Sequence, residues 1–158
     1  MDKNFYITTP IYYPSAKPHM GHAYSSIIAD FFARFKRMDG FNVSFLTGTD
    51  EHGLKIQRAA EEKKLQPLEF CDQISKTFRD LSKTLNLTNT DFIRTTEERH
   101  KKTVQYLWNE LEKNDDIYLS NYSGWYSISD EAFYNEDEIE EIDGKKFSIS
   151  SKSTVEWI

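Results

Sequence analysis

Phe5-Tyr6-Ile7-Thr8-Thr9-Pro10, then a proline-containing loop, then Gly21 to Gly40, then Phe41-Asn42-Val43-Ser44-Phe45-Leu46-Thr47 is the stretch that decides the fold. The first five residues are all aromatic or β-branched, which predicts a short buried strand. Pro10 ends it, and Pro14 and Pro18 keep the following loop out of a helix. A helix is expected from near Gly21, because Ile27, Ile28, Phe31, Phe32 and Phe35 recur at the spacing of one helical face. Gly40 is a credible stop, with Lys36 and Arg37 in the last turn. Phe41 to Thr47 predicts a second strand, which runs into Gly48-Thr49-Asp50-Glu51-His52-Gly53.

Working outward, a short helix is expected through about Glu62, and Pro67 suits the first turn of the next. That helix carries Cys71, Ile74, Phe78, Leu81 and Leu85 at alternating spacings of three and four. Asp91 to Arg94 is a third short extended piece. Thr95 and Glu98 form a Thr-x-x-Glu capping-box pattern before a helix with Val104, Leu107, Trp108 and Leu111 on one stripe. Strand and helix in alternation argue for a parallel α/β sheet. After Asp116 the texture changes: Ile117 to Tyr134 is dense in Tyr, Trp and Ser, Glu136 to Asp143 is acidic, and Asp143-Gly144 signals a tight turn. Residues 117–158 therefore read as small antiparallel structure, a module or insertion separate from residues 1–116. The apolar, uncapped Val155-Glu156-Trp157-Ile158 reads as a cut within an element.

The bulk properties set limits. With 158 residues, 38% hydrophobic and 15% aromatic, the chain can bury a core and does not have a disordered composition. A net charge of −6 argues against sequence-independent grip on a polyanion. The single cysteine, Cys71, cannot close an intrachain disulfide, so a reducing cytoplasm is the simplest home. It sits on an apolar helix stripe, which suits a small buried residue better than a nucleophile. There is no secretory signal, and no run of about 18 apolar residues that predicts a membrane span.

Two constellations could carry chemistry. In His19-Met20-Gly21-His22, positions three apart at a helix start share a face, so both imidazoles can address one ligand. Helix N-terminal N–H groups favour phosphate there, and two donors could stabilise charge building on a pentavalent α-phosphate. The plainer alternative is two ordinary histidines near a helix start. Asp50 follows a predicted strand, at the end where ligands of open α/β sheets bind. It could pair with a ligand ammonium group, or merely cap the next helix. His19, His22, Asp50 and His52 also permit a metal site, though no compact ligand motif supports one.

Taken together, the segments resemble the methionyl-tRNA synthetases, a family of class I aminoacyl-tRNA synthetases. The likeness runs through Tyr6-Ile7-Thr8-Thr9-Pro10-Ile11-Tyr12-Tyr13-Pro14 and Lys17-Pro18-His19-Met20-Gly21-His22-Ala23-Tyr24, the latter like the H-I-G-H signature. It continues through Phe45 to Gly53, Ser123-Gly124-Trp125-Tyr126 and Val155-Glu156-Trp157. The resemblance implies the first half of a Rossmann-like nucleotide-binding fold over 1–116 and the start of a connective-peptide insertion over 117–158. It implies that methionine and ATP, with Mg²⁺, give methionyl-adenylate, and that the methionyl group passes to the 3′ end of tRNA(Met). His19, Gly21 and His22 would then bind ATP, with both histidines catalytic. Pro10, Ile11, Tyr13 and Asp50 would hold methionine.

One departure is informative. Many relatives hold zinc in the insertion through two Cys-x-x-Cys pairs. Here the first place reads Ser127-Ile128-Ser129-Asp130, and the second pair falls at Ser148 and Ser151, so the expectation is a metal-free knuckle. The K-M-S-K-S signature and the helical anticodon-binding domain are absent from these residues, so this segment is not expected to charge tRNA by itself. Three rivals remain: another H-x-G-H nucleotidyl transferase, a synthetase for leucine, isoleucine, valine or cysteine, and a non-catalytic module on the same fold.

Overall fold

The β-rich runs pair as the alternation requires. The computed structural model describes residues 3–158. Strands β1 (Asn4–Thr8), β2 (Asn42–Thr49) and β3 (Asp91–Arg94) form a parallel sheet in the order β1-β2-β3. The register sets Phe5 beside Val43, Ile7 beside Phe45, and Thr47 beside Phe92. Parallel neighbours need crossovers, and helices supply them. Helix α1 (Met20–Met38) joins β1 to β2, and α2 (Leu54–Glu62) with α3 (Pro67–Thr84) joins β2 to β3. Helix α4 (Glu98–Lys113) follows β3. Gly48 lets β2 lie close to β3: a Cβ there would stand 2.0 Å from the Ile93 carbonyl oxygen.

The core is stitched from small and large residues. Ala29 and Ala33 of α1 pack on Val43 and Phe45, with Phe5, Ile7 and Phe41 at the margin. Ile56, Ala60, Phe70 and Cys71 join α2 to α3. Tyr12, Phe78 and Phe92 form a third cluster near the strand ends.

Two helical stripes do not lie where periodicity alone would put a core face. Ile27, Phe31 and Phe35 are 49%, 63% and 53% exposed. The buried stripe of α1 is Ser26, Ala29, Asp30 and Ala33. Small side chains leave room for Phe45, and Asp30 acts as a polar anchor. Its carboxylate accepts the Thr88 N–H and hydroxyl, each at 2.6 Å, and pairs with Arg34 at 2.5 Å. In α4 no residue is buried, and Val104, Leu107 and Trp108 stand about half exposed. Nor does Thr95 cap α4, which starts at Glu98. Its hydroxyl accepts the Glu51 N–H at 2.8 Å, because a buried strand-tip amide needs an acceptor.

By packing, the chain divides between Trp108 and Asn109, inside α4, whereas the change in composition comes after Asp116. The second unit is antiparallel. Strands β4 (Trp125–Ser127), β5 (Ala132–Tyr134) and β8 (Glu156–Trp157) form one sheet, in the order β5-β4-β8. Strands β6 (Ile139–Ile142) and β7 (Lys145–Ser148) form a hairpin. Its two-residue turn, Asp143-Gly144, has φ of 52° and 74°, the doubly positive pattern of a type I′ turn.

Candidate active site

The histidine pair is built into the helix start. His19 is the N-cap of α1, and its Nδ1 accepts the Gly21 N–H at 3.0 Å. His22 returns the contact: its Nδ1 accepts the His19 N–H at 3.0 Å. This is a capping box made of two imidazoles instead of a hydroxyl and a carboxylate. An Nδ1 that accepts cannot carry a proton, so each neutral ring holds its proton on Nε2. Both rings therefore keep one N–H donor for a ligand. Their centroids are 3.9 Å apart. Burial, and secondarily the charge of His19, lowers the His22 pKa from 6.5, which favours the neutral donor form. Gly21 is needed for this arrangement, since a Cβ there would stand 2.9 Å from Cε1 of His19.

Asp50 lies just beyond the tip of β2, half-buried, and its N–H donates to the Tyr12 carbonyl at 2.9 Å. The next residue, Glu51, is fully buried at its side chain. Its carboxylate accepts from Arg94 Nε at 2.7 Å, the Thr49 hydroxyl at 2.6 Å and the Thr96 hydroxyl at 2.5 Å. Burial pushes the Glu51 pKa up, but those hydrogen bonds more than offset it and the carboxyl titrates below the ordinary glutamate value. Arg94 also reaches Asp72 at 2.6 Å. The exposed His52 touches the Thr95 carbonyl at 3.3 Å through Nε2. Cys71 is buried, and burial, reinforced by the Glu51 charge, raises its pKa to about 11, so it is an inert thiol at neutral pH.

Between the two constellations runs the loop after β1. Pro10, Ile11 and Tyr13 are exposed, while Tyr12 is buried and bridges to Thr49. The Tyr12 ring meets His22 edge-on at 4.8 Å. Tyr12 thus touches both the helix start and the strand tip. Spacing in the sequence pointed to Thr95 only as a helix cap and gave no signal for Tyr12, Arg94 or Thr96; all four become neighbours of the motif residues only through the parallel pairing of β2 with β3 and the loop after β1. Two clefts, of about 450 Å³ beside Trp125 and Trp157 and about 300 Å³ beside Arg79 and Phe92, are lined by other residues.

A family profile described as "tRNA synthetases class I (M)" matches residues 5–155. The chain belongs to the class I (M) tRNA synthetases. Among relatives of this synthetase chain, a mitochondrial methionine–tRNA ligase of Takifugu rubripes is 49% identical over 162 residues, spanning 99% of this chain and 28% of that protein. A methionine–tRNA ligase of Listeria monocytogenes is 52% identical over 142 residues, 89% of this chain and 21% of that protein. A Mycobacterium tuberculosis methionyl-tRNA synthetase in complex with methionyl-adenylate superposes with a TM-score of 0.92 at 44% identity, covering 99% of this chain and 31% of that one. The synthetase chain therefore spans about a fifth to a third of the length of these relatives. Its parallel sheet is the N-terminal Rossmann-like half of the class I fold.

In the second unit of the synthetase chain, Ser127, Asp130, Ser148 and Ser151 close on one another. Ser127 Oγ accepts the Asp130 N–H at 3.3 Å, and Ser148 Oγ the Ser151 N–H at 3.2 Å, so each half is a small knuckle turn. The Asp130 carboxylate accepts from the hydroxyls of Tyr134 at 2.7 Å, Ser151 at 2.5 Å and Ser153. The Ser151 and Ser153 hydroxyls, with Tyr134 behind them, hold the Asp130 pKa down to about 2. Three serines and one carboxylate do not fit zinc, which takes thiolate and imidazole ligands. Among the described residues no group of three His, Cys, Asp or Glu is placed to hold a metal ion. No described helix is long and apolar enough to cross a membrane.

Proposed function

We propose that the complete protein containing this chain is a methionine–tRNA ligase. A methionine carboxylate oxygen attacks the α-phosphorus of ATP, the bond to pyrophosphate breaks, and methionyl-adenylate forms. A terminal ribose hydroxyl of tRNA(Met) then attacks the acyl carbon and AMP leaves. The observation that carries this reading is the imidazole capping box, which aims two Nε2–H donors from a helix N-terminus. Donors placed where charge develops stabilise the transition state by about 3–4 kcal/mol each.

In this reading His19 and His22 are catalytic and bind ATP with Gly21. Gly21 keeps the nucleotide face clear and lets the His19 ring fold back. Pro10, Ile11, Tyr13 and Asp50 bind methionine, the Asp50 carboxylate pairing with the α-ammonium group. Mg²⁺ arrives with ATP as part of the substrate. Residues 117–158 begin a connective-peptide insertion that needs no zinc, because hydroxyls and the Asp130 carboxylate fill the ligand places. The buried lone cysteine suits a reducing compartment, the cytoplasm in the simplest case.

Amino-acid-dependent ATP–pyrophosphate exchange by the complete protein, with amino acids tried singly, tests the assignment. Exchange with methionine is expected. Exchange driven by leucine, isoleucine, valine or cysteine in its place, or none with any amino acid, overturns it.

A further inference from the structure

We propose that Tyr12 is a positioning residue that sets the histidine turn against Asp50, so that the phosphate-binding and amino-acid-binding halves of the site keep one register. This rests on the ligase reading above. Tyr12 makes two kinds of contact, to two different elements. Through its backbone it extends the sheet by one rung: its N–H donates to the Gly48 carbonyl at 3.0 Å, and its carbonyl accepts the Asp50 N–H at 2.9 Å. Those bonds fix the main chain of Asp50 from the β1 side. Through its side chain it grips the first turns of α1. Its hydroxyl lies 2.9 Å from the Ser26 hydroxyl and 3.0 Å from that of Ser25, and donates to the His22 carbonyl at 3.3 Å. The ring packs edge-on against the His22 ring at 4.8 Å and stacks on Phe78 at 5.7 Å.

A conventional core tyrosine would also be buried, and Tyr12 is only 7% exposed. What sets it apart is its place in the chain. It stands inward between Ile11 and Tyr13, each 41% exposed. In extended backbone, neighbours of an inward residue face outward. Burial of Tyr12 therefore holds outward the two side chains proposed to meet methionine. One residue thus ties Asp50, Ile11, Tyr13 and His22 to a common frame. Misplacement by about 1 Å can cost as much as a hundredfold in a reaction that depends on alignment.

The test is Tyr12→Phe in the complete protein, read by methionine-dependent ATP–pyrophosphate exchange and by thermal melting. The change removes the grip on α1 but keeps the ring and the backbone bonds to Gly48 and Asp50. The expected result is a kcat lowered about tenfold or more with KM for methionine within about twofold. Ser26→Ala, which removes the best-placed partner of the hydroxyl, should lower kcat in the same direction, and it serves if Tyr12→Phe does not fold. A lowered melting temperature with unchanged kcat overturns the proposal, because Tyr12 is then only core. A parallel rise in KM for methionine also overturns it, because the hydroxyl then acts on the amino-acid side. Absence of methionine-dependent exchange in the unsubstituted protein sinks the ligase reading and this inference together, whereas exchange in the parent with an unaltered Tyr12→Phe sinks this inference alone.

Discussion

At His22, burial and the neighbouring His19 work in the same direction, and both lower its pKa from 6.5. The consequence for pH follows from which state takes up a proton. Just below 6.5 the unfolded chain protonates His22 while the folded chain does not, so the His22 contribution to stability falls as pH drops through that window and is complete above it. Function follows the same sign, since a proton on Nδ1 would break the bond from the His19 N–H. Exchange activity should have an acid limb below pH 6.5 and no alkaline limb from this residue, and an NMR titration of the His22 ring should give a midpoint below 6.5. A midpoint above 6.5 would show that the ring is not buried as described. At the neighbouring position, Gly21→Ala should push the His19 ring out of its cap, because the added Cβ would stand 2.9 Å from Cε1. Loss of one donor is worth about 10²–10³ in rate. Single-turnover adenylate formation is the measurement, and a rate within about threefold of the parent would remove the His19 cap from the mechanism.

Elements show how far local pattern reaches. The three parallel strands were legible, because two aromatic and β-branched runs beside Pro10 and Gly40, and the short Asp91 to Arg94 piece between helical stretches, leave few alternatives. The H-x-G-H turn was legible as a helix start with two neighbouring histidines, but not as a capping box, because histidine is not an expected cap. The inward stripe of α1 was illegible for a clear reason. Hydrophobic periodicity finds large side chains, and here Ser26, Ala29, Asp30 and Ala33 face the sheet while the large ones face away. Thr95-x-x-Glu98 misled in a similar way, since the stronger demand on Thr95 was the buried N–H of Glu51. That strand-tip cluster yields a prediction. Glu51→Gln leaves Arg94 charged beside a partner that cannot neutralise it, and breaking a buried pair costs about 3–5 kcal/mol. Chemical denaturation should show a loss near the lower bound, because Asp72 still faces Arg94. In the second unit, Asp130→Asn should loosen the knuckle turns, read as faster amide exchange at Asp130 and Ser151. The low Asp130 pKa makes its support of the fold complete above about pH 4 and lost as pH falls through 2.

On the scale of the whole molecule, the exposed face of α1 is the feature that the fold itself does not explain. Tyr24, Ile27, Ile28, Phe31, Phe32 and Phe35 are 68%, 49%, 40%, 63%, 46% and 53% exposed. Soluble chains rarely leave such a contiguous apolar surface bare, and parallel sheets are normally covered on both faces. The relatives are several times longer than this chain, which spans 21–31% of those named above. One expectation is that a longer chain, of the length those relatives have, covers this face. Two expectations separate that account from a helix that is merely greasy. Phe31→Ser and Phe35→Ser together should leave the melting temperature of residues 1–158 within a few degrees and lower their binding of a hydrophobic dye, because those rings lose little burial there. In the complete protein the same pair should be costly, since deleting a large buried side chain removes about 3–5 kcal/mol. Equal and small effects in both settings would mean that nothing covers α1, and the apolar stripe would need another cause. The same expectation bears on activity. Residues 1–158 expressed by themselves should bind ATP weakly and should not aminoacylate tRNA, a comparison made directly by charging assays on the segment and on the complete protein at equal concentration.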